Sequence, residues 1–281
     1  MKQVPVTAEA IRSLQIQGAN AIAKAALRAL AADLAAEPGA DREALRAELV
    51  AARPNEPMLR NLLKAFLDDA PDVAEQELEG LAERLLAQVE RDEAAIATAG
   101  AGLIQAGMAV FTHCHSSTAV GILLEAHGRG TRFKVFNTET RPRFQGRTTA
   151  AELARNGIEV IHMVDGAAKY ALDGADLFLF GADAVLPSGY LINKVGTGIF
   201  CVVANRYDVP TYCATHTLKV VRDRSDESVE ERPPGEVWPE APAGVLVFNP
   251  AFDKVHLKYV TAFITERGLM KDLLATPPWR A

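Results

Sequence analysis

Apolar residues recur at helical spacing through the first hundred positions, as at Ile11, Leu14, Ala19, Ile22, Ala26 and Leu30, until Pro38-Gly39 ends the run. The spacing predicts one long helix over 8–36, then helices over 41–51, 57–66 and 72–97, with no strand pattern among them. From about Ala101 the texture changes to short apolar runs set between Gly, Asp and helix-like stretches: 108–112, 132–137, 158–164, 176–180, 209–214 and 244–248. Strands alternating with helices imply a mostly parallel sheet covered on both faces. The expected fold class is therefore α/β, with a helical N-terminal domain over 1–100 followed by a sheet domain over 101–281. The charged, proline-rich stretch 222–242 cannot sustain a core element and is expected to be a surface excursion.

Composition narrows the partners. A chain of 281 residues, 49% apolar and 23% charged, has the make-up of an ordinary globular protein. A formal charge of -6 gives no general reason to bind nucleic acid. The three cysteines, Cys114, Cys201 and Cys213, fit a reducing compartment better than a disulfide scaffold, and Cys201 and Cys213 lie in apolar runs where they pack as small hydrophobes. The N-terminus lacks a signal-peptide core, and no run approaches the roughly 18 apolar residues of a membrane span. A cytoplasmic location with no membrane partner is expected.

The chemistry gathers at the strand ends, where parallel sheets bind their ligands. His113-Cys114-His115 follows the run ending at Phe111 and leads into Ser116-Ser117, which can cap the next helix and leave its N–H groups facing an anion. Further along stand Glu139-Thr140-Arg141-Pro142 with Gln145-Gly146, Asp165, Gly181-Ala182-Asp183, and Asn193-Lys194 before Gly196-Thr197-Gly198. Arg141 offers a planar fork for phosphate oxygens, Lys194 a point charge, and the two glycines a close backbone approach. A thiol near cations and a helix start is expected to lose its proton more readily, and a carboxyl beside Phe178 and Phe180 to keep it longer, which suits proton transfer between Cys114 and Asp183.

Blander readings stand beside these. Asp165 can equally cap the helix that follows it, and Arg141 can be a structural ion-pair partner. The His-Cys-His tripeptide has no CxxC or HExxH spacing for zinc, Ser116 lies in no GxSxG elbow, and the glycine pair lacks the phosphate-loop pattern of nucleotide hydrolases.

Taken in order, Thr112-His113-Cys114-His115-Ser116-Ser117, Thr138-Glu139-Thr140-Arg141-Pro142 with Gln145-Gly146, Gly181-Ala182-Asp183, Asn193-Lys194-Val195-Gly196-Thr197 and Asn249-Pro250-Ala251-Phe252-Asp253 resemble one known family. It joins archaeal ribose-1,5-bisphosphate isomerases, methylthioribose-1-phosphate isomerases and the alpha, beta and delta regulatory subunits of eukaryotic initiation factor 2B. Weaker matches at Gln17-Gly18-Ala19 and at Ala52-Arg53-Pro54-Asn55-Glu56-Pro57 extend the resemblance through most of the chain.

The resemblance implies a helical N-terminal domain, a Rossmann-like second domain and a homodimer or larger homo-oligomer. It implies Cys114 and Asp183 as the catalytic pair of an aldose–ketose isomerase that needs no cofactor and no metal. Gln17, Gly18, Ala19, Arg53, His115, Ser116, Ser117, Arg141, Asn193, Lys194 and Lys219 are then the residues expected to bind a sugar phosphate. The Thr-His-Cys-His-Ser form is closer to the ribose-1,5-bisphosphate branch than to the methylthioribose branch. Gln17 stands where the family's isomerases commonly carry Arg, and Arg12, Lys24, Arg53 or Arg60 are candidates to replace that charge. The competing reading is a non-catalytic regulatory or scaffold subunit that binds a sugar phosphate or nucleotide in the same pocket.

Overall fold

The computed structural model describes residues 2–37, 39–222 and 229–279, so part of the charged excursion, 223–228, lies outside the described residues. The helical part comprises α1 (Gln3–Arg12), α2 (Ala19–Ala36), α3 (Arg42–Ala52), α4 (Pro57–Asp69) and α5 (Leu78–Ala101). Ile22, Ala26, Leu27, Leu30 and Leu34 form the buried stripe of α2, packed with Leu59, Leu62, Leu63 and Phe66 of α4 and Leu85, Leu86 and Val89 of α5. Buried Asp33 accepts the Gln3 and Val4 N–H groups at 2.7 and 2.9 Å, supplying the first turn of α1 with partners it lacks within its own helix.

The single helix expected over 8–36 is instead two helices. Leu14 at φ 60° and Gly18 at φ 87° turn the chain between α1 and α2, while the apolar spacing continues across the break. That turn carries Gln17.

The sheet part alternates strands and helices: β1 (Ala109–Thr112), α6 (Ser117–Gly128), β2 (Lys134–Thr138), α7 (Gln145–Arg155), β3 (Glu159–Met163), α8 (Ala168–Leu172) and β4 (Leu177–Gly181). A hairpin of β5 (Ala184–Leu186) and β6 (Tyr190–Lys194) follows, then α9 (Thr197–Arg206), β7 (Thr211–Ala214), β8 (Phe252–His256), β9 (Ala262–Thr265) and β10 (Gly268–Met270). The main sheet has the order β10-β9-β7-β4-β1-β2-β3 and is parallel except for β10; β5, β6 and β8 make a small antiparallel sheet beside it.

Alternate residues of the strands serve opposite faces. Phe111, Phe178, Phe180, Cys213 and Phe263 pack with Phe200 and Cys201 on one side, while Val110, Leu177, Leu179, Ala214 and Ile264 pack with Ile122 and Leu123 on the other. Cys201 and Cys213 are thus core residues, as their apolar setting suggests.

The run 244–248 is not a strand. Leu246 and Phe248 are 98% and 75% exposed, and the run is hemmed between Pro242, Gly244 at φ 91° and Pro250 with no strand beside it among the described residues. β5, β6, β8, β9 and β10 are elements that the apolar runs did not predict.

Sheet order decides where a ligand fits. From β1 the chain runs outward through β2 and β3, then returns to place β4 on the other flank of β1. The C-terminal ends of β1 and β4 therefore straddle a topological switch point, where open α/β sheets form their binding crevice.

Candidate active site

Cys114 follows β1 and Asp183 follows β4, two strands in direct register through Val110 with Leu177 and Phe111 with Phe178. The Cys114 backbone is left-handed at φ 66°, a conformation that costs a non-glycine residue about 1–2 kcal/mol and persists only where its surroundings hold it. They do so from both sides. Its N–H donates to Thr140 Oγ1 at 3.0 Å, and its carbonyl accepts from Thr149 Oγ1 at 2.9 Å. Because the Thr149 hydroxyl spends its proton on that carbonyl, His115 Nδ1–H is the donor in the 3.0 Å bond between His115 and Thr149. Ser116 caps α6, its Oγ accepting from the Ala119 N–H at 3.3 Å.

This turn approaches β4 very closely. A Cβ added at Gly181 would lie 2.4 Å from Ser116 Oγ and 2.8 Å from Ser116 Cβ, so only glycine admits the contact.

Electrostatics overturns one expectation. Burial pushes the Cys114 thiol up to about 11; the Lys194 charge pulls the other way and is outweighed. The thiol is therefore protonated at neutral pH in the free protein. His113 is buried and lowered to about 4, chiefly by desolvation, so its ring is neutral: Nε2–H donates to the Val195 carbonyl at 2.9 Å and Nδ1 accepts from the Thr138 hydroxyl at 2.6 Å.

A cavity of about 480 Å³ brings together Cys114, Asp183, Gln17, Gly18, Ala19, Arg53, His115, Ser116, Ser117, Asn193, Lys194 and Lys219. Lys219 is buried, and its Nζ donates to the Ala182 carbonyl at 2.9 Å, next to Asp183. Three residues before it, His216 Nδ1 accepts from the Leu218 N–H, which leaves Nε2–H to face Asp92 of α5 at 3.2 Å. Asn61 of α4 donates to the Leu218 and Val220 carbonyls, so the helical part holds the lysine's own segment.

Arg141 is not among the residues lining the cavity. Its guanidinium lies over the Phe144 ring and donates to the Val237 carbonyl at 3.0 Å, which makes it a loop contact. Arg143, two residues on, takes the place by the cavity. Asp165 accepts the Thr140 and Arg141 N–H groups at 2.8 and 2.7 Å, so it fixes this loop and has no cap over its own following helix.

The Gly196-Thr197-Gly198 turn is committed too: its two glycine N–H groups donate to Asp253 Oδ2 at 2.8 and 2.9 Å and are not free for a phosphate. Gly196, at φ 102°, would bring a Cβ to 3.1 Å from His113 Nε2. Of the charges proposed to stand in for Arg at Gln17, Arg53 borders the cavity. Arg12, Lys24 and Arg60 do not, and engage Glu9, Glu93 and the Pro54 carbonyl.

Sequence reasoning missed Arg143, Arg232 and Glu56 in the cavity wall. Arg232 belongs to the excursion, whose carboxylates pair with the wall: Glu236 meets Arg232 at 2.7 Å and Arg143 at 2.8 Å, and Glu230 meets Arg53 at 3.1 Å. Hydrogen bonds from Arg232, with Arg143 adding to them, hold Glu236 down to about 2. Its described part from Glu230 to Glu236 thus borders the site.

A crevice at the switch point of a mostly parallel sheet, lined by five cations and by the carboxyls of Glu56 and Asp183, defines an α/β protein with a candidate small-molecule site. The chain belongs to the Initiation factor 2 subunit family, whose model matches residues 15–272. It is 34% identical to the ribose 1,5-bisphosphate isomerase of Methanocaldococcus jannaschii, covering 96% of this chain and 92% of that one. It is 35% identical to a methylthioribose-1-phosphate isomerase of Pelotomaculum thermopropionicum, with 94% and 82% covered. The solved structure of a Pyrococcus horikoshii translation initiation factor eIF-2B superposes with a TM-score of 0.83 at 29% identity, covering 96% of this chain and 97% of that one. Among the described residues no helix is long and apolar enough to cross a membrane.

Proposed function

We propose that this protein is an aldose–ketose isomerase of a C1-phosphorylated pentose, converting ribose 1,5-bisphosphate to ribulose 1,5-bisphosphate, with methylthioribose 1-phosphate as the alternative substrate. The observation that carries the reading is the delivery of Cys114 and Asp183 to one cavity from paired strands at the switch point. The names of the similar proteins support the substrate class.

The reaction balances with two groups that exchange protons. The bond from C1 to the ring oxygen breaks, and that oxygen takes a proton. A hydrogen moves from C2 to C1, and the C2 hydroxyl gives up its proton as it becomes the ketone. Cys114 and Asp183 between them supply the first proton and take the second, and the thiol enters with its proton in place. Arg53, Arg143, Lys194, Lys219 and Arg232 offset the phosphate charge, about −2 per group, and the oxyanion that develops.

Incubation of the purified protein with ribose 1,5-bisphosphate, followed by phosphorus NMR, tests the proposal. Ketose formation is expected. Binding of C1-phosphorylated pentoses without turnover would overturn the enzymatic reading and favour a regulatory subunit that senses a sugar phosphate or nucleotide.

A further inference from the structure

Among the described residues, Glu56 is the one buried carboxyl in the cavity wall that the reaction above leaves unused. It is 4% exposed, and its Oε2 has no hydrogen-bond partner among the described residues; Oε1 lies 3.8 Å from Arg53 Nε. Its place directly before α4, whose first residue is Pro57, is a capping position, yet the side chain caps no backbone N–H. Leaving a buried polar atom unpaired costs about 1–3 kcal/mol, so the folded protein gains nothing from this oxygen on its own. A partner entering the cavity, which Glu56 lines, would supply the missing bond.

We propose that Glu56 is a further substrate-contacting residue, whose free Oε2 binds a hydroxyl of the sugar beside Asp183. The inference rests on the sugar-phosphate reading and extends it to a group that discriminates among sugars. Burial first, then the charge of Asp183, push the Glu56 carboxyl up to about 8 against the pull of Arg53 and Lys219. At neutral pH the carboxyl therefore keeps its proton and can both donate and accept. An alcohol does the same, whereas a phosphate needs donors and is better served by Arg143, Arg232 and Lys194.

The test compares wild type, Glu56→Gln and Glu56→Ala for turnover of ribose 1,5-bisphosphate from about pH 6 to about pH 9.5, for its calorimetric Kd and for thermal midpoint. Glu56→Ala is expected to raise KM and Kd about 10- to 100-fold while the midpoint holds or rises, because a buried orphan atom has gone. Glu56→Gln is expected to keep KM within about threefold and to lose the wild-type decline in kcat/KM above about pH 8. Should Glu56→Ala fail to fold, that change of profile in Glu56→Gln decides.

Unchanged KM, Kd and profile in both variants overturn the inference and leave a buried water as the partner of Oε2. If wild type binds the sugar without turnover, the isomerase reading fails alone, and a weakened Kd in Glu56→Ala still supports the contact. Absence of any binding by wild type overturns both.

Discussion

Replacing Gly181 by alanine probes how the two halves of the site are held in register. The new methyl group would sit 2.4 Å from Ser116 Oγ and 2.8 Å from Ser116 Cβ, well inside contact distance. Ser116 cannot yield without surrendering its bond to the Ala119 N–H, so overpacking and loss of the cap act together, for a total of about 2–4 kcal/mol. Ser116→Gly removes both clashing atoms and, as glycine is a tolerated cap, should cost only a few tenths of a kcal/mol alone. In the double variant most of the lost stability should return. Urea unfolding of the four proteins, followed by circular dichroism, measures the coupling directly. Gly181→Ala within about 0.5 kcal/mol of wild type, or additive costs in the double variant, would refute the close approach of the β4 end to the turn after Cys114.

Three other outcomes follow from the same geometry. At pH 8 a thiol near 11 is only ~0.1% thiolate, so carboxamidomethylation of Cys114 should run about a hundredfold or more slower than that of free cysteine and quicken about tenfold per pH unit towards 10; a plateau reached by pH 8 contradicts the burial argument. Arg143→Ala should raise KM for the sugar phosphate about tenfold or more and Arg141→Ala within about threefold, and steady-state kinetics showing the reverse order would restore Arg141 to the site. Glu56 is raised on folding, so the stability it contributes is full below its unfolded value of 4.5 and is lost as pH climbs through about 8; Glu56→Gln should flatten that decline relative to wild type, and parallel stability curves across this window would refute it.

Much of the architecture was legible because strands buried on both faces read as unbroken apolar runs. Leu177-Phe178-Leu179-Phe180 is apolar throughout since its odd and even members pack into different cores. β6 is exposed at Tyr190 and partly polar at Asn193-Lys194, and β8 carries Asp253, Lys254 and His256 among its five residues, so neither gives that signal. The run 244–248 does give it, but pairs with no edge among the described residues, which composition does not encode.

The site follows the same division. That Cys114 and Asp183 border one cavity could be anticipated from their places after β1 and β4, since parallel sheets form their crevice at the C-terminal strand ends. The choice between Arg141 and Arg143 depends on side-chain direction in a loop pinned by Asp165, and no periodicity records that. Glu56 was hidden by Pro57, whose helix-start signal makes any residue before it look like a cap. The acidity of Cys114 was misjudged because cationic neighbours are visible in sequence, while the burial that outweighs them is set by packing.

The central claim is that Cys114 and Asp183 act on one sugar. Single-turnover conversion of ribose 1,5-bisphosphate by Cys114→Ser and by Asp183→Asn, each checked for native circular dichroism, tests it most directly. The expected result is a loss of at least about a thousandfold in each, with substrate still bound. Wild-type-like conversion by either folded variant would contradict the account.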